Sequence, residues 1–138
     1  PLYNLALKAA PNPQLTLAAY GFMAHLAMEA MLTLAYEHEI FCDLLVPTCL
    51  APYELSPLFE SAAATGRLLT LEEGTLSLGW GAEVLARTAE ALGSRLRKAG
   101  RLAGAETVIP AAPKLEAACL PDVADVVEKA REMVQDNA

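Results

Sequence analysis

The residues able to do chemistry in this 138-residue chain are two histidines, three cysteines and a group of carboxylates set around one glycine-rich stretch. His25 and His38 have no partners at metal-ligand spacing. His25 stands four positions before Glu29, the spacing of an ion pair on a helix surface. Cys42, Cys49 and Cys119 are odd in number and lack paired spacing, so reduced structural thiols in a cytosol-like compartment fit better than disulfides or a zinc site. Glu72 and Glu73 are adjacent, which on a strand sends their side chains to opposite faces and makes them a poor acid/base pair. Neither a phosphate loop ending in Lys-Ser or Lys-Thr nor a Gly-x-Ser-x-Gly elbow occurs. Gly79-Trp80-Gly81 lacks the third glycine of a dinucleotide fingerprint. The sequence therefore assigns no catalytic residue, no cofactor-binding residue and no metal ligand.

The chemistry left to consider is binding, and it centres on the stretch from Thr65 to Glu83. Leu68, Leu69 and Leu71 form a short apolar run suited to a strand covered on both faces, ended by Glu72-Glu73-Gly74. Gly79 and Gly81 permit unusual backbone angles or a close chain approach just before a helical pattern begins at Glu83. Open parallel sheets bind ligands beyond the carboxyl ends of their strands. Glu73, Gly74, Gly79, Trp80, Gly81 and Glu83 are thus the candidate ligand or interface loop. A helix start favours anions, although Glu72, Glu73 and Glu83 oppose one here.

The elements that must position this loop follow from apolar periodicity and punctuation. Residues 1 to 14, with Pro1, Pro11 and Pro13, read as a linker or N-terminal arm, and residues 15 to 138 as one domain. Leu15 to Tyr20 predicts a strand, turned by Gly21 into a helix over Phe22 to Glu37. Its polar residues His25, Glu29, Thr33 and Glu37 make only a narrow stripe. Ile40 to Val46 predicts a second strand. Ser56 before Pro57 resembles a cap with proline in the first helical position, opening a helix to about Thr65. After the helix near Gly81, Arg95, Arg97, Lys98 and Arg101 read as a solvated basic helix end, and Arg101 to Ala103 as a short edge strand. One helical turn is expected at Leu115 to Ala118. Asp122 caps a last helix whose Val123, Val126, Val127, Ala130 and Val134 keep helical spacing. Strands alternating with helices imply an α/β sandwich with a mainly parallel sheet.

Composition narrows the partners. A hydrophobic fraction of 54% is high for a domain this small and implies surface hidden against another protein. The formal net charge of −7 disfavours a nucleic-acid backbone. No charge-free apolar run approaches the roughly eighteen residues of a membrane span, and no export signal is evident. The long helix leaves more apolar surface than a sheet can cover, so Met23, Met28, Met31 and Leu32 are the expected interface of a homodimer.

Several motifs then occur in one consistent order: Tyr20-Gly21-Phe22-Met23-Ala24-His25, Thr65-Gly66-Arg67 with Glu72-Glu73-Gly74, Gly79-Trp80-Gly81-Ala82-Glu83, Arg101-Leu102-Ala103-Gly104, Ile109-Pro110, Leu115-Glu116 and Leu120-Pro121. Together they resemble the transketolase C-terminal domain, in the form found in the beta subunit of the decarboxylating component of 2-oxo acid dehydrogenase complexes. The likeness runs from about Leu15 to Val134. It implies a three-layer α/β/α sandwich on a five-stranded, mostly parallel mixed sheet with one antiparallel edge. It also implies a non-catalytic assembly and docking role within a larger enzyme that uses thiamin diphosphate and magnesium. The Gly-Asp-Gly start of the cofactor-binding signature is absent from the sequence given. The implied partners are the remaining domains and alpha subunit of that component, the subunit-binding domain of the acyltransferase, and a second copy of the domain. The implied location is the cytoplasm, or the mitochondrial matrix in a eukaryote. Val46-Pro47-Thr48-Cys49-Leu50-Ala51-Pro52 departs from the family's usual Asp-Leu-Arg-Thr-Leu-x-Pro, losing the acid and the arginine. The alternative reading is a regulatory domain binding a small metabolite anion at the carboxyl ends of the strands.

Overall fold

The computed structural model describes residues 1–135, and the last three residues of the expected domain lie outside them. The chain runs β1 (Leu2–Leu5), β2 (Leu15–Ala19), α1 (Phe22–His38), β3 (Cys42–Pro47), α2 (Ser56–Thr65), β4 (Arg67–Thr75), α3 (Trp80–Leu92), β5 (Lys98–Gly104), α4 (Pro113–Ala117) and α5 (Val123–Gln135). The five strands form one sheet in the order β1-β3-β2-β4-β5. All neighbours are parallel except β1, which pairs antiparallel with β3.

Period-two alternation sorts the strand side chains into two cores. Leu15, Leu17, Leu44, Leu69 and Leu71 face α1 and α5, where Met23, Ala27, Ala30, Leu34, Val126 and Ala130 meet them. Ala18, Leu45 and Leu68 face the other way, onto Leu55, Leu58, Ala62, Val84 and Leu92 of the α2 and α3 layer. The expected three-layer sandwich is thereby realised. Because β3 and β4 leave β2 in opposite directions, the topological switch point lies between β2 and β4.

A chain of hydroxyls ties the amino ends of the strands to α2. Thr16 Oγ1 lies 2.7 Å from Ser61 Oγ and 2.9 Å from Thr65 Oγ1, and Ser61 donates to Asp43 Oδ2 at 2.9 Å. Thr65 Oγ1 donates in turn to the Arg67 carbonyl at 2.9 Å. Thr16, Ser61 and Thr65 are buried, so these bonds recover much of what taking three hydroxyls out of water costs.

Five expectations are revised. Part of the presumed arm, Leu2–Leu5, is the antiparallel edge strand, registered with Leu2 opposite Pro47 and Leu5 opposite Leu44. The strand that Glu72-Glu73-Gly74 was expected to end continues to Thr75, and β5 spans Lys98–Gly104 rather than three residues. Ser56 is a helical residue, not the cap. Leu55 precedes it, and Glu54 Oε1 accepts from the Ser56 hydroxyl at 2.6 Å and the Ser56 N–H at 2.9 Å. Met23, placed in the interface from sequence, is 1% exposed because it lies on the α1 face that packs on the sheet. Asp122 does cap α5, through a reciprocal pair in which Asp125 N–H donates to Asp122 Oδ1 and Asp122 N–H to Asp125 Oδ2, both at 2.9 Å.

Candidate functional site

Beyond the carboxyl ends of β2 and β4, at the switch point, the structure assembles the predicted loop around a residue outside the candidate set. On β4 the side chains of Leu68, Thr70 and Glu72 share one face, the face covered by α3. Glu72 is consequently 1% exposed. Its Oε1 accepts from the Gly81 N–H at 2.9 Å. Gly79, the residue before α3, has no side chain with which to cap the helix. A carboxylate reaching over from the neighbouring strand performs that capping instead, at the end of the helix where the backbone dipole favours negative charge.

The glycines matter here through close approach. Gly79 has φ of −72°, an ordinary value, and Gly81 is absent from the left-handed region. A Cβ on Gly79 would stand 2.7 Å from Glu72 Oε1 and 2.8 Å from Oε2. A Cβ on Gly81 would stand 2.8 Å from Glu72 Oε1 and closer still to Thr70 Oγ1. The close approach is to the Thr75 carbonyl oxygen and Glu72 at Gly79, and to Thr70 and Glu72 at Gly81, rather than a matter of backbone angle.

Trp80 closes the outer side. Its ring meets Tyr20, the residue after β2, edge-on at a centroid distance of 5.0 Å and 74°. Burial raises the Tyr20 hydroxyl pKa above its ordinary 10.0, and the charges of Glu72 and Glu73 push it the same way. Thr70 Oγ1, Glu72 Oε2 and Trp80 Nε1 are buried without hydrogen-bond partners. Of the predicted loop, Gly81 is buried, Glu73, Gly79 and Trp80 are half-buried, and Gly74 and Glu83 are exposed.

The remaining loop is stapled from β5 and the segment that follows it. Ser77 N–H donates to Glu106 Oε1 at 2.8 Å, and Arg101 Nη1 donates to the Leu76 carbonyl at 2.7 Å. The other members of the basic cluster are likewise turned to carbonyls: Arg97 to Thr65, Arg95 to Ala91 and Lys98 to Glu132. Arg95 and Arg97 thus reach the last turns of α3 and α2, as expected of cations at a helix end, whereas Lys98 and Arg101, read from sequence as part of that helix end, lie on β5.

The second candidate region, the outward side of α1, is apolar. Met28 and Leu32 are 40% and 46% exposed. With Leu5, Ala6, Leu7 and the edge of the otherwise buried Met31 they line a groove of about 320 Å³ between α1 and the segment after β1. His25 Nε2 and Glu29 Oε1 lie 3.3 Å apart with both side chains solvated, an ordinary surface pair.

Cys42 is buried. Its thiol is pushed up to about 12 by burial and then by Asp43, a neutral structural group. No three or more His, Cys, Asp or Glu residues among the described residues are grouped to hold a metal ion. No helix among them is long and apolar enough to cross a membrane.

A family model described as "Transketolase, C-terminal domain" matches residues 5–126. The acetoin:2,6-dichlorophenolindophenol oxidoreductase subunit beta of Cupriavidus necator is 28% identical over 121 residues, 87% of this chain and 36% of the relative. The mitochondrial pyruvate dehydrogenase E1 component subunit beta of Ascaris suum is 31% identical over 120 residues, 86% of this chain and 33% of the relative. The chain thus spans about a third of the length of these relatives. Among solved structures, one described as a split gene transketolase, inactive beta4 tetramer, superposes with a TM-score of 0.73 at 24% identity, over 96% of this chain and 42% of that one. That likeness establishes the fold.

Proposed function

Because the chain belongs to the transketolase C-terminal domain family, we propose that it is the non-catalytic assembly and docking domain of a thiamin diphosphate-dependent 2-oxo acid dehydrogenase beta subunit. In this reading it packs subunits together and presents a surface to the acyltransferase core. The observation that carries the proposal is the match to dehydrogenase beta subunits along nearly the whole domain and only a third of their length. Chemistry assigned to the whole of such an enzyme can then reside in the other two thirds.

The residues present do not fit thiamin diphosphate. A diphosphate needs free backbone donors and a divalent cation with carboxylate ligands. Here the Gly81 N–H is taken by Glu72, and no metal-binding group is found among the described residues. The same contact weighs against the alternative of a metabolite-anion sensor, since the helix start that would receive the anion already holds one. Calorimetric titration of this chain with thiamin diphosphate and magnesium is expected to give no binding heat. A micromolar site would overturn the reading.

Self-association is the assembly property open to direct test on this chain, and the groove on α1 is where we place it. Met28 and Leu32 supply the contact, Met31 the groove floor, and Leu5 and Leu7 of the same chain the wall. Burying about 400 Å² of apolar surface there would contribute on the order of 10 kcal/mol before association entropy and side-chain ordering are subtracted. Sedimentation equilibrium should show a reversible dimer, and a monomer at every concentration would refute this arrangement.

A further inference from the structure

The carboxylate of Glu72 has two properties that a mere capping residue does not need together. It is fully withdrawn from solvent, and only one of its oxygens has a hydrogen-bond partner. Leaving a buried carboxylate oxygen unpaired is costly unless the surroundings favour the charge. The surroundings here are the opening turn of a 13-residue helix, whose first N–H groups and dipole attract anions. Thr70 Oγ1, which lies with Glu72 Oε1 against Gly81, is likewise buried and without a partner. The backbone has been shaved to admit the group, since a Cβ at Gly79 or Gly81 would intrude on it.

We propose that Glu72 is a resident ligand: the N-terminus of α3 is a carboxylate-binding site whose carboxylate is covalently supplied by β4, and removing that side chain opens a site for a small external carboxylate. In the wild-type protein the site is therefore closed to metabolite anions, and the 74–79 loop and α3 behave as one unit held through the Glu72–Gly81 contact. This inference stands apart from the assembly reading and is tested separately from it.

The experiment compares thermal unfolding of the full chain in sodium formate and in sodium chloride at equal ionic strength. Formate is the smallest carboxylate and carries the same acceptor oxygens as the lost group. Glu72→Ala should lower the midpoint by about 5 °C or more in chloride. Formate should restore at least half of that loss while leaving the wild type unchanged. If Glu72→Ala is unfolded in chloride, recovery of its far-ultraviolet circular dichroism in formate carries the same meaning. Glu72→Gln fills the space with an amide of the same size and should show no formate effect. Coincident formate and chloride behaviour of Glu72→Ala would overturn the proposal, as would equal formate gains in the wild type or in Glu72→Gln.

Discussion

At the opening of α3, Glu72, Thr70, Trp80 and two glycines have consumed one another's space, and the anion site of the helix is filled from within. On the outward side of α1, Met28 and Leu32 are left with about half their surface in solvent beside a groove that none of the described residues fills. The first region carries the glycine and acid pattern usually read as a binding loop. The second is a plain run of methionine, leucine and alanine. A pattern that looks like a site can be the signature of close internal packing, while an unremarkable helix face is the surface on offer.

The comparison breaks most visibly at Gly81. Gly81→Val drives branched methyl groups into Thr70 and Glu72 and should cost more than about 2 kcal/mol, read as a fall in the urea midpoint at constant m-value. An unchanged midpoint would mean the loop is permissive and the packing account fails. Met28→Glu should do the opposite. Its effect on stability is expected to stay within about 0.5 kcal/mol, while the sedimentation mass stays monomeric at concentrations where the wild type dimerises. If Met28→Glu unfolds the chain or leaves the dimer intact, the groove is not the interface.

The smallest effect is the pH response of Tyr20. Its folded pKa is raised, so the folded state holds the phenolic proton where the unfolded chain has already released it. That contribution is fully present below about pH 10 and is lost as pH rises through the folded value. Denaturant midpoints measured on either side of pH 10 should fall, and Tyr20→Phe should flatten the decline. A variant whose decline matches the wild type would assign it elsewhere.

Most of the framework was legible because apolar runs and Gly or Pro punctuation agree. The α5 stripe carries a clear helical period, whereas Leu15–Ala19, the α1 helix and Cys42–Pro47 were legible as apolar runs bounded by Gly or Pro. The edge strand Leu2–Leu5 was not, because an edge buries little: none of its four residues is fully buried, and no apolar signature distinguishes it from the proline-rich segment that follows. Glu72 was missed for the opposite reason. A carboxylate at the end of an apolar run reads as a strand leaving the core, and its partner is a backbone N–H nine positions away. The available signal was parity: Leu68, Thr70 and Glu72 share one face of a strand covered on both. Met23 was similarly readable, since Met23, Ala27, Ala30, Met31 and Leu34 trace one inward stripe that the emphasis on surplus apolar surface overrode.

The hydroxyl chain from Asp43 through Ser61 and Thr16 to Thr65 also bears on how the protein reaches this fold. Long parallel pairings such as β2 with β4 join segments some fifty residues apart and are the contacts a folding chain makes slowly and most easily makes wrongly. Sliding β2 by one position would turn Thr16 toward the leucines and methionines under α1 and leave Ser61 and Thr65 facing Leu15 or Leu17. Each hydroxyl would then be dehydrated without a partner, at about 1–3 kcal/mol apiece. Hydrophobic contact alone guards less well against such a slip on β3 and β4, where Leu44-Leu45 and Leu68-Leu69 put a leucine on each face. The chain of hydroxyls adds discrimination and acts as a proofreading step on strand alignment.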